Sequence, residues 1–206
     1  MVKTASAPLI KEVKQPRLYS LEEYFKREER ALHKHEFFNG KIITMPGGTY
    51  NHDRLSVKIT YELEGFVERN NIDFSVNGSN LKVWIENYNS AVYPDALVIC
   101  EKPAFYDGRE DTITNPLIVV EVLSKSTKKN DEDSKFEMYR SLESFKEYVL
   151  IHQDRKKVIV YTKQNDKTWI LRDYAGQDAI AVLYALHNCP LPLSKLYKGL
   201  ELKGEK

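Results

Sequence analysis

Cysteine is nearly absent from this chain. Only Cys100 and Cys189 occur in 206 residues, far apart and with no CxxC pair or histidine-rich neighbourhood, which argues against a disulfide framework, a zinc site or a redox dithiol. Cys100 ends an apolar run and reads as a small buried hydrophobe. No apolar stretch is long enough for a signal-peptide core or a membrane span, so a cytoplasmic protein with no membrane attachment is expected. Neither sign of charge is in surplus: 31 Lys+Arg face 30 Asp+Glu, a net charge of +1. That total neither recommends nor rules out nucleic acid, and any phosphate-binding patch has to be local. Internal repeats and low-complexity tracts are also missing.

What is present suits one core of ordinary size, since 42% of the residues are hydrophobic and 30% charged. Residues 1–18 read as a flexible arm and 19–206 as a single domain. Ser20 with Glu23 forms a capping-box pattern, which predicts a helix to about His33. Asn39-Gly40 predicts a hairpin within His35–Met45, because both residues tolerate positive φ. From Tyr50 to about Asn70 the apolar residues recur at helical spacing. Strands are expected at Ile72–Val76, Leu81–Ile85, Tyr93–Cys100 and Pro116–Leu123, then a helix over about Lys129–Ser141. Further strands follow at Glu147–His152, Lys157–Lys163 and Thr168–Asp173. Leu117 to Val120 is apolar on both faces and belongs in the middle of a sheet covered by helices. The order of elements predicts an α/β fold with a mixed central sheet, an N-terminal hairpin and C-terminal strands.

Two acids interrupt strands that should be buried. Asp95 precedes Ala96-Leu97-Val98-Ile99, and Glu121 lies between Val119-Val120 and Val122-Leu123. Such carboxylates need a cation or several donors, whether from a backbone cap, an arginine or a metal. Two of them on strands suit Mg²⁺, which takes one or two protein carboxylates beside water and phosphate oxygens. Downstream, Asp131, Lys135 and Tyr139 are spaced four apart and share one helix face. The stripe fits either a solvated Asp-Lys pair or a lysine reaching back to the strand acids, where it would hold water or stabilise developing charge.

Val92-Tyr93-Pro94-Asp95, Ile118-Val119-Val120-Glu121-Val122-Leu123-Ser124, Ser126-Thr127, Asp131, Lys135, Tyr139 and Glu147-Tyr148-Val149-Leu150-Ile151 resemble the Uma-two family, which is placed in the PD-(D/E)XK nuclease superfamily. The likeness extends upstream through His35 to Gly40, Pro46-Gly47-Gly48, Asn51-His52 and Gly78-Ser79, and downstream to Leu191-Pro192-Leu193. It implies a restriction-endonuclease-like core, metal-dependent cleavage of duplex DNA with Mg²⁺ or Mn²⁺, and Asp95, Glu121 and Glu36 as metal-binding acids. Leu123 stands where the superfamily pattern has lysine. Lys135 is the natural migrated replacement, with Lys82 and Lys125 as rivals.

His52 suits a helix cap or a packed imidazole as well as a base. Ser79 suits a phosphate or its own turn. Lys125, Lys128 and Lys129 form a small basic cluster fit for a phosphate backbone. Trp84 and Trp169 sit at strand spacing and are expected to pack in sheets rather than stack on bases. A homodimer follows from the need to cut two strands. A catalytically silent nuclease-fold protein binding nucleic acid or a protein is the alternative.

Overall fold

The computed structural model describes residues 17–124 and 134–202. Helix α1 (Leu21–Glu28) opens with the expected reciprocal cap, the Ser20 hydroxyl accepting from Glu23 N and the Glu23 carboxylate from Ser20 N. It stops short of His33. Residues 30–33 are exposed, Leu32 by 96%, so nothing apolar rewards another turn. The Glu28 carboxylate instead accepts from the backbone N–H of His35, turning the chain into a strand. Strands β1 (His35–Phe38) and β2 (Lys41–Thr44) pair antiparallel around Asn39 and Gly40, at φ +42° and +87°, as the dipeptide predicts.

Helix α2 (Tyr50–Arg69) buries Leu55, Ile59, Leu63 and Val67, one face at helical spacing. Asn71, at φ +49°, ends it. The next strand, β3 (Ser75–Gly78), starts later than expected because Ile72 and Phe74 pack into the core around α2. Strands β4 (Lys82–Ile85), β5 (Ser90–Val92) and β6 (Ala96–Ile99) follow. The strand expected from Tyr93 begins only at Ala96, since Pro94 has no N–H for a ladder, and the preceding β5 was not expected. Then come β7 (Thr112–Ile113), β8 (Ile118–Leu123) and α3 (Phe136–Tyr139). Strands β9 (Glu147–His152), β10 (Lys157–Asn165), β11 (Thr168–Ala175), β12 (Ile180–Leu183) and β13 (Cys189–Pro192) precede the short helix α4 (Leu193–Leu196).

Two mixed sheets result, ordered β2-β1-β5-β4-β7 and β11-β10-β9-β8-β6-β3, beside a β12-β13 pair. The α/β architecture with a mixed central sheet is therefore as the sequence predicts. Strand β8 runs parallel to β9 and antiparallel to β6 in the middle of the larger sheet, with all six residues buried. Its Ile118, Val120 and Val122 meet α2 and the C-terminal segment. Val119 and Leu123 face Met138, Tyr139, Phe145 and the smaller sheet's Val83, Ile85 and Val92. Strand periodicity therefore puts Glu121 between the two sheets. Among the described residues no helix is long and apolar enough to cross a membrane.

One buried acid lies apart from these. Glu147 accepts from the Thr162 hydroxyl and from the N–H groups of Tyr184 and Ala185, tying β9 to the segment after β12. Burial pushes its carboxyl from 4.5 up to about 7, despite those donors favouring the charged form. The unfolded chain then loses this proton before the folded one does. Between about pH 4.5 and 7 this carboxyl weakens the fold as pH rises, by about 3 kcal/mol in all. Urea unfolding of the wild type and Glu147→Gln across that window should show the wild type losing stability relative to the variant. Parallel curves would remove the assignment.

Candidate active site

The acid at the centre of β8 is met by donors from α3. Glu121 is 3% exposed and its Oε1 accepts from Tyr139 OH at 3.3 Å and Lys135 Nζ at 3.2 Å. Lys135 directly precedes α3 with helical φ/ψ of −67° and −38°, so Lys135 and Tyr139, four apart, reach the same carboxylate. The ammonium has a second acid. Glu36, on β1 of the smaller sheet, places Oε1 2.9 Å from Lys135 Nζ, and that oxygen also accepts from Tyr93 N at 3.2 Å. A buried ion costs several kcal/mol unless matched by charge and hydrogen bonds. Here, among the described residues, one buried cation is shared by two buried carboxylates.

Asp95 lies just before β6, beyond the Ala96–Val120 pair, and its N–H donates to Val120 O at 3.1 Å. Its Oδ2 accepts from Val122 N at 2.7 Å and lies 3.3 Å from His52 Nε2. Asp95 is thereby pinned beside Glu121 by the backbone of the strand that carries Glu121. His52 sits in the first turn of α2, its own N–H capped by the Thr49 hydroxyl at 3.3 Å. A Cβ on Gly48 would fall 3.2 Å from His52 Nδ1, so the Pro46-Gly47-Gly48 turn leaves room for this imidazole. His52 is thus capped through its backbone and reaches the acid with its side chain.

Asp95, Glu121, Lys135, Glu36, Tyr139 and His52 therefore come together. Ser79 does not touch the acids: its carbonyl and hydroxyl accept from Lys34 Nζ at 2.7 and 3.3 Å. Lys82, the first rival lysine, is committed to Asp111 at 2.6 Å and Tyr93 OH at 3.3 Å. Lys125, Lys128, Lys129 and Asp131 lie outside the described residues. Trp84 packs 5.0 Å from Tyr106, and Trp169 against Phe136 and Phe145 at 5.2 and 5.3 Å, so both serve packing. The sequence reading passed over Tyr93 and Lys34. Tyr93 had a signal in its place two residues before Asp95. Lys34 had one in its place just before β1, two residues from Glu36.

Among the described residues no three His, Cys, Asp or Glu side chains form a ready metal cage. The donor set nevertheless fits a hard cation. Glu36 and Glu121 already converge on a positive charge, Lys135 Nζ, and Asp95 is fixed alongside. Mg²⁺ needs no more than one or two protein carboxylates, with water and substrate oxygens completing its shell.

A family model described as "Putative restriction endonuclease", Uma2, matches residues 21–194. The chain belongs to the Uma2 family. Two uncharacterized proteins of Synechocystis are similar to it. One, sll1609, is 37% identical over 157 residues, 76% of this chain and 88% of the relative. The other, slr1290, is 34% identical over 163 residues, 78% and 83%. The crystal structure of a DUF820 protein from Anabaena variabilis, titled a "putative nuclease", superposes with a TM-score of 0.69. That superposition covers 87% of this chain and 97% of that one at 18% identity, so it speaks for the nuclease fold alone. The Uma2 match spans Glu36, Asp95, Glu121 and Lys135, so all four lie inside the family domain.

The shared ammonium of this Uma2 chain has a measurable consequence. Lys135→Met should cost about 3–5 kcal/mol in urea unfolding, the penalty for withdrawing the cation from a buried pair. Adding Glu121→Gln should restore part of that loss, because one of the two carboxylates no longer carries charge. A lysine whose loss costs under about 1 kcal/mol, the range of exposed ion pairs, would not be holding this cluster.

Proposed function

We propose that this Uma2 protein is a metal-dependent endonuclease that hydrolyses phosphodiester bonds of duplex DNA, acting in the cytoplasm as a homodimer that presents one site to each strand. The observation that carries the reading is Lys135 Nζ held 2.9 Å from Glu36 and 3.2 Å from Glu121, with Asp95 anchored on the same strand's backbone. Asp95, Glu121 and Glu36 would hold Mg²⁺, or Mn²⁺ in its place, which when bound supplies Lewis acidity at the phosphate and an acidified water.

The chain's own groups divide the rest of the work. In hydrolysis a water oxygen bonds to phosphorus, one phosphorus–oxygen ester bond breaks, and the leaving sugar oxygen gains a proton. Lys135 provides an ammonium at the acids, placed to hold the attacking water or to stabilise negative charge as it grows on the phosphate oxygens. Tyr139 orients Glu121 through Oε1. Val122 N and His52 fix Asp95, so these groups meet substrate with little reorganisation. One observation favours a second reading, a silent nuclease-fold protein that binds without cutting: Lys135 already occupies the space between Glu36 and Glu121 and offsets part of their charge, the place a metal would otherwise take.

A cleavage panel of plasmid, linear duplex, single-stranded DNA and RNA, with Mg²⁺ or Mn²⁺, separates the two. Duplex DNA should be cut, Asp95→Asn with Glu121→Gln should abolish cutting, and Lys135→Ala should lower the rate by about 10²–10³. Divalent metal should raise the melting temperature of the wild type and not of the double variant. Intact substrates throughout, at high protein concentration, would leave the silent reading; cutting of RNA alone would reassign the substrate.

A further inference from the structure

Next to the acid cluster lies a cleft of about 280 Å³, lined by Glu28, Lys34, Asn80, Lys82, Tyr93 and Asp111 among others. Most of its charge is internally balanced. Glu28 is bonded to His35 at 2.9 Å, and Asp111 to Lys82 at 2.6 Å and Arg109 at 3.2 Å. Lys34 is different. Its ammonium donates to the carbonyl and hydroxyl of Ser79 and lies 5.3 Å from the centre of the Tyr93 ring. These partners are neutral, and no carboxylate of the described residues forms an ion pair with it. A half-buried ammonium hydrogen-bonded only to neutral groups, with the Asp95 and Glu28 charges acting on it from beyond ion-pair distance, keeps attraction for an anion.

Its position is tied to the site. Lys34 precedes Glu36 by two on an extended segment, so both side chains leave the same face. Tyr93, which its ammonium overlies, donates its N–H to Glu36, and the Lys34 charge interacts with that of Asp95. Ala31, Leu32 and His33 also line a second, larger cleft, together with Lys26, Arg27 and Arg30. There Lys26 is paired with Glu22 at 2.6 Å, and Arg30 is exposed at the end of α1 with no carboxylate of the described residues bonded to it. Lys34 and Arg30 thus line two clefts that share Ala31, Leu32 and His33, with Arg27 over the Tyr19 ring in the larger one.

We propose that Lys34 and Arg30 form a track for the sugar-phosphate backbone of the bound strand, Lys34 gripping a phosphate close to the one being cut and Arg30 one further along. Ser79 holds the Lys34 ammonium aimed into the cleft, and Tyr93 gives it an aromatic wall. Contacts of this kind set position and affinity and carry no sequence information. The inference rests on the nuclease reading for its substrate, and its test uses binding so that the two can fail separately.

The assay is fluorescence anisotropy of a short labelled DNA duplex, without divalent metal, in the Asp95→Asn, Glu121→Gln background. Each phosphate contact contributes about 0.9 to the slope of log affinity against log salt. Lys34→Gln should lower the slope by about 0.9, and Lys34→Gln with Arg30→Gln by about twice that. Lys34→Arg with Arg30→Lys should keep it. Lys34→Met serves as a second neutral variant should the glutamine disturb folding. Lys167→Gln, in the exposed turn between β10 and β11, controls for net charge. The proposal is overturned if the double neutral variant keeps the parent slope, if Lys167→Gln lowers it equally, or if the parent does not bind duplex at all. Slopes that fall as expected in a protein whose wild type never cuts would sink the nuclease reading and leave the track standing. Cutting with unchanged slopes would do the reverse.

Discussion

Among the described residues one ammonium, that of Lys135, joins the acids at the place where the two sheets meet. Glu36 comes from the smaller sheet, Glu121 from the larger, and the lysine from the chain that returns over both. The surroundings are otherwise apolar, with Val119, Leu123, Met138, Phe145 and Tyr148 sealing that layer. Two carboxylates could not stay ionised there without a cation at hydrogen-bonding distance, and remaining lone pairs also need donors. Tyr139 OH and Tyr93 N supply them. The geometry that makes the interior tolerable is also what holds three functional groups in fixed relation, so folding and site assembly are one event.

This coupling governs how much could be seen in the sequence. Asp95 and Glu121 stand out because each breaks a run of apolar residues, and burial makes that break costly. Lys135 is legible through its spacing to Tyr139. Its partner Glu36 is not legible from local pattern, because an acid beside an Asn-Gly hairpin looks exposed; only the fold lays β1 against the chain at Tyr93. Among elements, α2, the first hairpin and β8 to β11 follow from periodicity. The misjudged segments are those where tertiary contact overrides it. The chain leaves α1 at Glu28 to bond His35, the strand expected from Tyr93 begins at Ala96 after Pro94, and β12 and β13 pair across Pro190 and Pro192 with Ala181, Leu183, Cys189 and Leu191 buried in the core. Lys34 escaped notice because a lysine before a strand is ordinary until the cleft around it is known.

The acids are not equivalent, and their difference gives the site a direction. Side-chain exposure is about 5% for Lys135 and Glu121, 9% for Glu36, 13% for Asp95 and 22% for His52. Lys135 and Glu121 form the floor, and His52 and Asp95 stand nearest the solvent. Asp95 is also the one acid of the three held by a backbone N–H and an imidazole in place of the ammonium, so its charge is the less neutralised. A polyanionic strand approaching a pair of buried carboxylates would be repelled unless something positive met it first. Lys34 is more exposed than Lys135, its charge interacts with those of Asp95 and Glu28, and it makes no ion pair with an acid of the described residues. The more buried ammonium can then be reserved for the reacting phosphate, because attraction to the rest of the strand is provided elsewhere. On the proposed nuclease reading, a site arranged this way would separate the cation that gathers substrate from the cation that acts on it.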